Sequence, residues 1–175
     1  MSKKLGLWRR IKPCLPLNTR IMFFNGFILP LFDYEDIIWG DRGYASLMSV
    51  LQVLENKAAC LILDLPAHFS AAGVLKILGW KSLLRCRKEH HAIFMYKLII
   101  NHFHHSIPLT FTGDSHSYST RSRNDIRKSS AARRWGHRLS VNFSTNTWNG
   151  LDTSLRNVES LPAFKRGLSK VIFDS

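Results

Sequence analysis

The chain has 175 residues, enough for one domain or a domain with a tail, and at 45% hydrophobic it can build a core and is not compositionally disordered. Lys and Arg number 25 against 12 Asp and Glu, a net +13 that suits a polyanionic partner such as nucleic acid as well as a merely soluble basic protein. Cys14, Cys60 and Cys86 are odd in number and widely spaced, which excludes a disulfide scaffold and a CxxC zinc knuckle and favours a reducing, intracellular setting.

The first 20 residues carry Lys3, Lys4, Arg9, Arg10, Lys12 and Arg20 and no acid. Leu5–Ile11 reads as a helix stopped by Pro13 and Pro16, and Asn18 or Thr19 caps a second one running from Thr19 to Leu29. The longest apolar run, residues 21–32, is interrupted by Asn25, Gly26 and Pro30 and falls short of the ~20 residues that a membrane span needs. No signal-peptide core precedes Lys12. Leu31–Trp39 is apolar with interleaved acids, and Gly40 and Gly43 mark a turn.

Residues 45–63 give the clearest amphipathic helix, with Leu47, Leu51, Leu54, Ala58 and Leu61 at three- and four-residue steps, ended by Pro66. Ser70 caps a short helix through Leu78, closed by Gly79. Residues 82–102 form another long helix, with Leu83, His90, Phe94 and Leu98 on one stripe. Leu47, Leu51 and Leu54 are expected to pack with Leu83, Phe94 and Leu98 in one core plugged by Trp39 and Trp80. From His104 to Thr147 the chain turns Ser-, Asn- and Arg-rich, with strand-like stretches at Leu109–Thr112 and Leu139–Phe143. Ser160 caps a closing helix, Leu161–Phe173. The predicted fold is mainly α: a helical bundle over residues 1–105, then over 106–175 an irregular basic segment with short strands and a C-terminal helix.

Catalytic patterns are sparse. Asp33, Glu35 and Asp36 cluster as metal-dependent polymerases and nucleases require, but no second acidic segment follows nearby, so helix solvation is the stronger reading. His102, His104 and His105 lack a neighbouring Cys or acid to complete a metal set, and Cys86 near His90 reads better as a packed thiol than as a nucleophile. Basic residues are the more persuasive feature. Lys3, Lys4, Arg9, Arg10, Lys12 and Arg20 form one group, and Arg121, Arg123, Arg127, Lys128, Arg133, Arg134 and Arg138 another, interleaved with Tyr118 and Trp135. Cations neutralise phosphates and aromatics stack on unpaired bases. Lys3, Lys4, Arg9, Arg10, Arg121, Arg123, Arg133 and Arg134 are the expected contacts, to RNA or DNA without regard to sequence. Against this stand a protein–protein module that docks through residues 45–63 or the final helix and, ranked last, a nuclease using Asp33 and Asp36.

Short strings spread along the chain resemble the region downstream of the polymerase domain in animal non-LTR (jockey-like) retrotransposon reverse transcriptases. They are Leu5-Gly6-Leu7-Trp8-Arg9-Arg10-Ile11 and Leu15-Pro16; Leu29-Pro30-Leu31-Phe32-Asp33-Tyr34 followed by Trp39-Gly40; Leu51-Gln52 and Asn56-Lys57-Ala58-Ala59; Leu78-Gly79-Trp80 with Leu83; His116-Ser117-Tyr118-Ser119-Thr120-Arg121; Trp148-Asn149-Gly150-Leu151 and Leu155-Arg156-Asn157; and Leu161-Pro162-Ala163-Phe164-Lys165-Arg166. Each is weak alone, but they follow the family's order. Lys57, Cys60 and Asp152 depart from its pattern. The resemblance implies a helical thumb that grips template–primer duplex, followed by a basic extension. It implies that the catalytic aspartates lie upstream of Leu5, leaving no catalytic residue, metal ligand or cofactor here, the Mg²⁺ belonging to the parent polymerase. Pro30, Phe32, Asp33, Tyr34, Trp39, Gly40 and Trp80 are then structural motif residues. Further implied partners are the polymerase core and a second copy of the chain, in a location that the family's behaviour makes nuclear; the short apolar runs argue against a membrane partner, and the cysteines for an intracellular setting.

Overall fold

A computed structural model describes residues 2–33, 36–39, 45–66, 69–100, 109–114, 122–128, 140–171 and 173. They are mainly helical. The chain divides into two compact units, Met1–Asp36 with Tyr44–Cys86, and Ile37–Gly43 with Arg87–Ser175.

In the first unit, α1 (Ser2–Ile11) buries Leu5 and Trp8 and passes into a 3-10 turn at Lys12–Cys14, where Pro13 halts it. Next, α2 (Leu17–Phe23), a π-helical turn (Phe24–Ile28) and α3 (Leu29–Asp33) follow without a gap. Helicity therefore continues through Pro30 to Asp33, four residues beyond the predicted end at Leu29. Pro30 has no N–H and its ring crowds the carbonyl one turn back; the widened turn before it, in which Leu29 N–H reaches back to Phe24 O, makes room. Pro16, rather than Asn18 or Thr19, occupies the N-cap position. A short α4 (Asp36–Trp39) precedes α5 (Ala45–Ile62) and α6 (Ala71–Leu78).

α6 ends where glycine predicts it. Gly79 has φ +65°, a left-handed conformation costly for other residues, and Trp80 N–H then bonds to Leu75 O at 2.8 Å. Ser70 sits at the N-cap but makes no side-chain cap bond. α5 ends the same way without glycine: Asp64 has φ 57° and Leu65 N–H bonds to Cys60 O at 3.0 Å.

The first core gathers Leu5, Trp8, Phe24, Ile28, Phe32, Ala58, Ile62 and Leu83. Phe24 is its hub, stacked on half-buried Trp80 at 4.4 Å between ring centroids and flanked by Trp8 and Phe32 at 6.4 Å each. Trp8, not anticipated as a core residue, is fully buried, whereas the Trp39 side chain lies outside the described set.

α7 (Leu83–Ile99) begins in the first unit and continues in the second. Leu83 packs with Leu51 and Leu54 as expected, but Phe94 and Leu98 belong to a separate core. The residues expected in a single core thus fall into two, because the stripe on α7 is covered by different neighbours along its length. The second core contains Ala92, Met95, Tyr96, Leu98, Ile126, Trp148, Leu151, Leu155, Phe164 and Leu168. Tyr96 stacks on Phe164 at 4.5 Å and donates its hydroxyl to Val158 O at 2.9 Å.

The second unit is completed by α8 (Ser140–Asn149), α9 (Thr153–Arg156) and α10 (Leu161–Leu168). Residues 140–143, expected to be extended, open α8 instead; Leu139 lies outside the described residues. Leu109–Thr112 contributes only Phe111, bridged to Ile126, and no longer strand occurs among the described residues. α10 stops five residues short of Phe173.

Candidate nucleic-acid interface

α1 carries four of the eight expected nucleic-acid contacts. Leu5 and Trp8 face the core, which leaves Lys3 and Arg10 on the opposite side of the helix and Arg9 at the margin of the core-facing side, and all three are exposed. Among the described residues, no acid pairs with any of the three. Lys4 lies on the same helix, with its side chain outside the described set.

Arg9 also lines a cleft of about 620 Å³ between α1 and α5, with Gly6, Lys12, Lys57 and Asp64 and an apolar lining of Leu5, Leu54, Leu61, Leu65 and Pro66. Lys12 and Arg20 both pair with Asp64, and Arg20 further donates to Leu15 O at 2.8 Å and Ile62 O at 3.2 Å. A guanidinium there meets the negative end of α5. Hydrogen bonds from Lys12 and then Arg20 hold the Asp64 carboxyl below its ordinary range. Arg9 and Lys57 remain as exposed cations on the cleft. The buried thiol of Cys60 completes the lining.

The sequence did not join Lys57 and Asp64 to α1, because they stand 48 and 55 positions beyond Arg9; the one local hint was a glycine inside a helix, at Gly6.

A second polar cluster lies behind the α7 end of the first unit. Leu83 N–H, an orphan donor in the first turn of α7, bonds to Gln52 Oε1 at 3.1 Å. Gln52 Nε2 donates to Glu55 Oε2 at 2.6 Å and to Asn56 Oδ1 at 3.1 Å. Burial pushes the Glu55 carboxyl up to about 7, the Gln52 bond opposing and the Asp33 charge adding to the rise. Asp36 is buried and Asp33 half-buried. Of the structural motif residues, Phe32 is in the core, Pro30 is exposed and Trp80 packs on Phe24, while Tyr34 and Gly40 lie outside the described residues.

In the second unit Arg123 is exposed on a turn beside a smaller cleft of about 420 Å³. Its stem packs against Gly113 so closely that a Cβ there would fall 2.4 Å from Arg123 Cγ. The neighbouring Arg156 is committed internally, to Asp125 at 2.8 Å. Asn149 secures this region from α8, its amide bonding to both Ile126 N–H (3.0 Å) and Ile126 O (2.9 Å). His91 is buried, with Nδ1 2.6 Å from Ser144 Oγ and its ring edge-on to Phe143. Arg121, Arg133 and Arg134, along with Tyr118, Trp135, His102, His104 and His105, lie outside the described residues.

No helix among the described residues is long and apolar enough to cross a membrane. No protein-family model, curated protein or solved structure matches the chain.

Proposed function

We propose that the chain is a non-catalytic, nucleic-acid-binding element related to the thumb and downstream region of non-LTR retrotransposon reverse transcriptases, and that it holds template–primer backbone through a basic surface led by α1. The observation that carries this reading is an acid-free helix whose Lys3, Arg9 and Arg10 are all exposed, in a chain of net +13. Such a surface releases counterions from phosphates and reads no base edges, so binding is independent of sequence. The ordered motif strings support the family assignment, in which the parent polymerase supplies the metal-binding aspartates and Mg²⁺.

The test is a fluorescence-polarisation titration of an RNA–DNA hybrid at rising salt. Affinity should fall steeply, by roughly 0.9 log unit per log unit of salt for each phosphate contact. No binding at low salt by folded protein would refute the reading.

A second reading, a docking module for the polymerase core or for another copy of the chain, is favoured by one observation: Met22 and Phe27 are 73% and 67% exposed, and Phe27 lies 4.9 Å from Phe23. Sedimentation distinguishes it, since a monomer at all concentrations would argue against self-association.

A further inference from the structure

The cleft between α1 and α5 has features that backbone gripping does not require. Its volume, about 620 Å³, far exceeds a lone phosphate and falls within the roughly 300–1,000 Å³ of small-molecule sites. Arg9 and Lys57 supply cationic groups without an acidic partner among the described residues, while Lys12 is fixed by Asp64. Leu54, Leu61 and Pro66 add an apolar wall. An anion that also carries a bulky, partly apolar body matches this set better than a bare ion does.

Gly6 is the second, independent observation. It lies in the interior of α1, where glycine weakens a helix. It does not have the positive φ that would require glycine, and a Cβ built there meets nothing within 4 Å. Neither backbone geometry nor packing calls for the missing side chain, yet the residue lines the cleft. Its effect is to leave room there.

We propose that this cleft binds a phosphorylated nucleoside, with the phosphate on Arg9 and Lys57 and the base against Leu54, Leu61 and Pro66. This deepens the nucleic-acid reading and rests on it for the source of the ligand, which is either a free mononucleotide or the terminal nucleotide of a bound strand.

The experiment is calorimetric titration of the full chain with AMP, adenosine and inorganic phosphate. AMP should bind, and the other two should bind at least about tenfold more weakly, since each lacks one half of the contacts. Lys57→Gln, at an exposed position, should weaken AMP about tenfold. Gly6→Leu should abolish AMP binding with an unchanged or raised Tm, while Gly6→Ala should retain it. Absence of AMP binding, or AMP binding undisturbed in both Gly6→Leu and Lys57→Gln, would overturn the proposal.

A hybrid with 5′-hydroxyl ends, titrated in parallel, separates the two readings. Hybrid binding without AMP binding removes the cleft site alone, and AMP binding without hybrid binding removes the backbone-gripping function alone. Competition of AMP by a 5′-phosphorylated single strand, but not by its 5′-hydroxyl twin, supports a strand terminus as the source; competition by neither supports the free nucleotide.

Discussion

The two units use their polar side chains to fasten different kinds of segment. In the second, Arg156 is paired with Asp125, Asn149 takes both backbone groups of Ile126, and the Tyr96 hydroxyl is bonded to Val158 O. Polar side chains there fasten irregular segments to helices. In the first, an aromatic hub centred on Phe24 supports the packing, and Lys3, Arg9, Arg10 and Lys57 stay exposed. The first unit's polar ties, from Arg20 to Ile62 O and from Gln52 to Leu83 N–H, close helix ends instead, and both units keep exposed cations, Arg123, Arg127 and Lys128 among those of the second.

The largest expected effect tests whether the cores are separate. Phe24→Ala and Phe164→Ala each remove a buried ring and should each cost about 3–5 kcal/mol in urea unfolding. Hydrogen exchange should then rise first in α1 and α5 for the former and in α8 and α10 for the latter. Equal acceleration throughout would mean one core.

Next comes the tie in the second unit. Asn149→Ala leaves the N–H and carbonyl of Ile126, a residue only 3% exposed, without their partner and should cost about 2 kcal/mol. A neutral result would show that water replaces the amide.

Glu55 gives the first unit a pH dependence. Its folded value, about 7, lies above the ordinary 4.5, so the folded state binds the proton more tightly. The stability this contributes is complete below pH 4.5 and is lost as the pH rises through 7. Glu55→Gln should therefore stabilise the protein at pH 8 by about 1 kcal/mol or more, with the gain vanishing toward pH 4. Parallel stability–pH curves for the two proteins would rule this out.

The smallest effect concerns the clasp on Asp64. Asp64→Asn removes an exposed charge that neutralises Lys12 and Arg20 and leaves Arg20 held by Leu15 O and Ile62 O, so Tm should barely move while affinity for the hybrid rises about two- to threefold. Weaker binding would mean that the clasp shapes the interface.

Much of the first unit was legible in its residues. Three- and four-residue spacing marked α5, and Gly79 marked the end of α6 because few other residues accept its backbone angles. Asp64 escaped notice at the end of α5, since Asp adopts that conformation far less regularly than glycine. α8 was misread because Ser, Thr and Asn are poor helix formers; its helicity draws on tertiary contacts through Ser144, Trp148 and Asn149, which override propensity. At the candidate interface the exposed cations of α1 were evident from an acid-free start, whereas the cleft was hidden because its walls come from separate segments.

Whether the first unit's cations meet phosphate is tested most directly by the salt dependence of hybrid binding, compared between variants. Replacing Lys3, Arg9 and Arg10 together by Gln should lower the slope of log affinity against log salt by about 2–3, while Arg123→Gln changes it by no more than about 1. An unchanged slope in the triple variant would contradict the assignment of the interface to α1.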